Sequence, residues 1–67
     1  NKEIESRLQT IEHYETVLNK ARMTNNDKKI WNCLMWIKYN TWIISQMRRH
    51  NITGEEAIKM WNSMMHD

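Results

Sequence analysis

Proline is absent from this 67-residue chain, Gly54 is its one glycine and Cys33 its one cysteine. With no proline and a single glycine, nothing enforces a break inside a long helical pattern. A lone cysteine excludes an internal disulfide and makes a reducing compartment the natural setting. Cys33 lies on an apolar stripe and reads as a small buried hydrophobe. His13, His50 and His66 fall on different segments from one another and from Cys33, without ligand spacing, which speaks against zinc. A glycine-rich phosphate loop, a nucleophile motif and a carboxylate pair away from helix surfaces are all missing. Glu55 and Glu56 stand in a first helical turn, where acids are expected for dipole reasons. The chain is therefore expected to be no enzyme and to use no catalytic residue, metal or cofactor. Lys38, Asn40, Thr41 and Ser45 interrupt the richest apolar run, which falls short of the roughly 20 residues a membrane span needs. The sequence begins at Asn1, already inside helical patterning, and is expected to be a fragment of a longer chain.

What is present is helical periodicity. Ile4, Leu8, Ile11 and Leu18 follow a 3-4 spacing, widened by Val17 and Ala21, and predict an amphipathic helix from about Lys2 to Met23. Thr24, Asn25, Asn26 and Asp27 then break it, one of them capping the next helix. A second helix is predicted from Asp27 to His50, with Asn40-Thr41 as its one candidate break. Thr53 and Glu56 have the form of a capping box opening a third helix, whose apolar face is Ala57, Ile58, Trp61, Met64 and Met65. Four tryptophans and six methionines supply bulk and adaptable packing for so short a chain. The expected fold is all-α, one domain over residues 1–67, with three helices and a long central one.

The central helix is apolar almost all the way round. Ile30, Cys33, Leu34, Ile37 and Ile44 form one stripe, Trp36, Ile43 and Met47 flank it, and Trp31, Met35 and Trp42 lie opposite. A domain this small covers one broad face of such a helix and hardly two. Trp31, Met35 and Trp42 are thus expected at a dimer interface, giving six helices per homodimer. A helix of some other protein is the alternative occupant.

Charge is segregated more than the net +2 suggests. Residues 1–15 and residues 52–67 each carry −2, whereas residues 16–51 set Lys20, Arg22, Lys28, Lys29, Lys38, Arg48 and Arg49 against Asp27 alone, a net +6. Cations closing a helix are favoured by its dipole, which accounts for Lys20, Arg22, Arg48 and Arg49. Lys28 and Lys29 occupy a first turn, where the dipole disfavours them. With Arg22 and the free amides of a helix start they compose a candidate phosphate site, and the competing reading is a solvated face. Lys38, Arg48, Arg49, Asn51 and Lys59 complete the candidate DNA contacts. Trp31, Trp36, Tyr39 and Trp42, interleaved with lysines, either stack on bases or pack.

The run from Met23 to Trp31 and the segment Asn51-Ile52-Thr53-Gly54-Glu55-Glu56, continuing to Lys59-Met60-Trp61-Asn62, resemble the C-terminal functional domains of the membrane-bound DNA replication organisers of phi29-type Bacillus phages. The similarity spans all 67 residues and rests on the sequence as a whole. It implies an intertwined six-helix dimer that binds single- and double-stranded DNA without sequence preference and assembles further on it. It also implies a transmembrane segment and a coiled coil upstream of Asn1, holding viral DNA at the cytoplasmic face of the host membrane. Residues 27–67 are distantly similar to homeodomains, but the last helix lacks an Arg-rich tail and the middle one is about twice the usual length. The chain has no base-reading fork of arginines, so phosphate contacts without sequence preference are the expected mode.

Overall fold

The computed structural model describes Asn1 to Met65 and consists of three helices: α1, Lys2–Met23; α2, Asp27–His50; and α3, Gly54–Met65. His66 and Asp67, which entered the metal and charge arguments above, lie outside the described residues. No strand occurs among the described residues.

Each boundary has a chemical cause. The Asn1 side chain accepts from the Glu3 and Ile4 amides at 2.9 and 3.4 Å, satisfying donors that α1 leaves free. Asn25 takes the left-handed conformation (φ 53°) that turns the chain between α1 and α2. Asn26 then caps α2, its side chain accepting from the Lys29 amide at 3.2 Å. Asn51, at φ 52° and ψ 47°, closes α2 with a left-handed cap, a geometry asparagine tolerates better than other non-glycine residues. Thr53 and Glu56 form the expected capping box: the Glu56 amide donates to the Thr53 hydroxyl and the Thr53 amide to the Glu56 carboxylate, both at 3.1 Å.

α1 and α2 pair as an antiparallel hairpin, and α3 folds back along the C-terminal half of α2. Ile43, Met47 and Ala57 are the centre of the core, with Ile4, Tyr39, Trp42, Ile52, Ile58 and Trp61 packed round them. Leu18, Ala21 and Cys33 are buried along the rest of the hairpin. α2 runs unbroken through Asn40-Thr41. Asn40 is itself buried, its Nδ2 donating to the Trp36 carbonyl and its Oδ1 accepting from Arg7 Nη1, each at 2.9 Å. That pairing turns the buried face toward Cys33, Asn40, Ile44 and Met47, and leaves Leu34, expected on the core stripe, 44 % exposed.

Arg7 ties the three helices together. Its guanidinium also meets the Glu3 carboxylate at 3.3 Å, and Glu3 accepts from the Gly54 amide at 3.2 Å, the first residue of α3. A Cβ at position 54 would overlap the Glu3 carboxylate, so glycine is what permits this close approach.

The result is a slab, 39 × 31 × 14 Å. Its radius of gyration is 13.3 Å, where about 11 Å is expected for a compact chain of this length. Its accessible surface is 5296 Å², against about 4,600 Å² expected for a folded monomer of this mass. The excess is partly apolar: Trp31, Leu34, Met35, Trp36, Met64 and Met65 are all exposed.

Candidate nucleic-acid interface

The eight residues expected at DNA are all exposed, but the fold does not gather them into one patch. Arg22 lies in the last turn of α1, and Lys28 and Lys29 stand in the first turn of α2 across the short connection. Arg48 and Arg49 lie in the last turn, beside the Asn51 cap. Twenty residues of helix separate Lys28 from Arg48, about 30 Å along the axis. Lys38 lies midway, and Lys59 projects from α3.

At the start of α2 the anion site is narrower than the sequence suggests. The Asn26 side chain and carbonyl already take the Lys29 and Ile30 amides, at 3.2 and 2.9 Å. The amides of Asp27 and Lys28 are left for a ligand, beside the Asp27 carboxylate, which opposes an anion. Past Asp27 the helix itself carries no acid, since residues 28–54 contain neither aspartate nor glutamate; beyond its far end stand Glu3, held on the Gly54 amide, and Glu55 and Glu56 of α3. Among the described residues the only ion pair is Glu3–Arg7, so none of the seven candidate cations is paired with an acid there.

The residues expected at a dimer interface separate into two groups. Trp31 and Met35 are exposed, 62 % and 43 %. Trp42 turns inward against the core, edge-on to Trp61 with ring centroids 5.3 Å apart. Trp61 in turn meets Tyr39 at 5.1 Å, Tyr39 meets Trp36 at 5.7 Å, and Trp36 stacks on Tyr14 at 6.2 Å. This chain of rings borders a groove of about 370 Å³ beyond the end of α3, lined by Trp31, Met35, Trp36, Tyr39, Trp61 and Met65 with Asn32 and Lys38 at its margin. Lining of this kind accepts apolar side chains.

The polar group Glu3–Arg7–Asn40 was not anticipated from the sequence. Its signal was the alternation Ile4, Arg7, Ile11, Tyr14, Leu18 and Ala21, a strict 3-4 repeat in which Arg7 holds a core position that the apolar reading gave to Leu8. Leu8 is 44 % exposed. Among the described residues no group of three His, Cys, Asp or Glu side chains converges, and no helix is long and apolar enough to cross a membrane. The chain matches no protein-family model, no curated protein and no solved structure.

Proposed function

We propose that this chain is a nucleic-acid-binding module that acts as a homodimer and holds single- and double-stranded DNA through phosphates, without reading sequence. The observation that carries this reading is the cationic stretch of residues 16–51, a net +6 with one aspartate, in which every candidate basic contact is exposed and none is in an ion pair among the described residues. Dimerisation is supported by the excess surface, the thin dimension and the open aromatic groove. The resemblance to phage replication organisers supplies the biological setting of the proposal: DNA replication held at the inner face of the bacterial membrane by a segment upstream of Asn1.

Salt titration of binding to unrelated duplexes and single strands tests it. The affinity should fall steeply with salt and unrelated duplexes should compete about equally. A salt-independent affinity, or strong preference for one duplex, contradicts the reading. A second reading, a protein-interaction module that seats a partner helix, draws on the same groove. It predicts a folded chain with no affinity for DNA at low salt.

A further inference from the structure

We propose that the backbone of the nucleic acid runs along one exposed ridge of α2, formed by Lys38, Thr41, Ser45, Arg48 and Arg49, rather than over the helix start at Lys28 and Lys29. The inference rests on the nucleic-acid reading and assigns its contact surface. At 100° per residue the five positions fall within an arc of about 100°, turned away from the buried Cys33, Asn40, Ile44 and Met47. All five side chains are exposed.

The ridge also carries two hydroxyls beside its cations, in the same unbonded state as Ser6 and Ser63. Threonine and serine are mediocre in a helix interior and commonly compensate by donating to the carbonyl four residues back. Thr10 and Thr16 do so, to Ser6 and Glu12 at 3.1 and 3.2 Å. Thr41 and Ser45 have no hydrogen-bond partner among the described residues, so both hydroxyls are free to donate to phosphate oxygens. Lys38 lies in mid-helix, where the dipole gives a cation nothing, so charge at a helix end does not explain it.

Spacing and charge fit a polyanion. Steps of three or four residues advance about 5–6 Å, and Lys38 to Arg49 covers roughly 16 Å, long enough to face several phosphates. No acid interrupts the ridge in sequence, and among the described residues no ion pair engages its cations. Lys28 and Lys29 stand beside Asp27, and positions 31–33, three or four residues further on, carry neither a cation nor a hydroxyl, so they offer no comparable line.

The test measures binding of a labelled random-sequence duplex and its single strand across a salt series. Circular dichroism and sedimentation first establish that each variant keeps the wild-type fold and mass. K38Q/R48Q/R49Q should lose affinity on the order of 100-fold near 0.1 M salt, with a salt slope shallower by about 2.7 for duplex and about 2 for single strand. T41A/S45A leaves every charge in place and raises helix propensity, and should weaken binding a few-fold with no change of slope. K28Q/K29Q should stay within a few-fold of wild type. Wild-type affinity in the ridge triple variant, or in T41A/S45A, overturns the ridge even when wild-type protein binds DNA, as does a loss confined to K28Q/K29Q. Wild-type protein that binds neither nucleic acid at low salt overturns the nucleic-acid reading and the ridge together.

Discussion

Replacing Arg7 and Asn40, singly and together, measures what the buried polar contact between α1 and α2 contributes. The Arg7 Nη1 to Asn40 Oδ1 bond is 2.9 Å long, Asn40 is 5 % exposed and the Arg7 side chain 18 %. Arg7→Met leaves the buried Asn40 oxygen without a donor, at a cost of about 1–3 kcal/mol. Asn40→Leu removes an acceptor from the guanidinium. Arg7 keeps Glu3 and some solvent, so this cost lies nearer the lower end of the about 1.5–3 kcal/mol that a bond to a charged group is worth. The Glu3–Arg7 pair adds little by itself, because the Glu3 side chain is 41 % exposed. When both residues become apolar no polar group is stranded, and the double variant should lie close to wild type. The expected coupling is about 3 kcal/mol, or roughly 12–24 °C between the summed single shifts and the double for a domain of this size. Thermal and urea melts followed by far-UV circular dichroism read it, each at several fixed protein concentrations because association would move the midpoint. Additive single effects, or stabilisation by Asn40→Leu alone, would refute the assignment of Asn40 and Arg7 as a mutually dependent pair.

The same framework makes three further predictions. Gly54→Ala should destabilise the wild-type background, because the added methyl displaces the Glu3 carboxylate from the α3 amide, yet stabilise Glu3→Ala by about 0.4–1 kcal/mol; the same sign in both backgrounds, by urea melts, would remove Glu3 as the cap. Thr53→Val deletes the hydroxyl that accepts the Glu56 amide and should cost about 1 kcal/mol, with amide exchange accelerated first in α3. Trp42→Ala should cost about 2–3 kcal/mol of folding stability through lost contact with Trp61 and the core, whereas Trp31→Ala should leave the fold intact and shift only the sedimenting mass; equal loss of helicity in both would contradict the division between core and surface tryptophans.

The three helices were legible because local chemistry and periodicity agree at every boundary: Asn26 and Thr53 cap where their side chains permit, and no proline or glycine lies in a helix interior. The rotation of α2 was not legible. Counting apolar residues puts Leu34 inward and passes over Asn40, since burial of an asparagine is favourable only when a donor is supplied from elsewhere. Arg7 supplies it from 33 positions away, and only its place in a strict 3-4 repeat hinted that it faces inward. Trp42 followed the same logic: its distance from the α1-facing stripe suggested a second chain, but α3 folds back and covers it with Trp61. The basic DNA candidates were legible as cations but not as a surface, because charge counts carry no information about the 30 Å or so that a long helix puts between its ends.

Two surfaces of α2 are left open, and they face different ways. The aromatic groove opens beside its N-terminal half, past the end of α3, while Thr41, Ser45, Arg48 and Arg49 occupy the C-terminal half on the side away from the core. Lys38 stands where the two meet. A second copy seated in the groove would therefore cover Trp31, Met35 and Trp36 and leave the ridge beyond Lys38 uncovered. Burying a ridge of unpaired guanidinium groups against an identical ridge would cost several kcal/mol in desolvation and repulsion, and burying the groove returns its apolar area to favourable contact. Self-association through the groove and phosphate binding along the ridge are thus compatible within one small chain, each copy adding its own cationic line. The two would compete only at Lys38. A variant confined to that residue should weaken DNA binding without dissociating the dimer, whereas loss of both on Lys38→Gln would mean that groove and ridge form one continuous site.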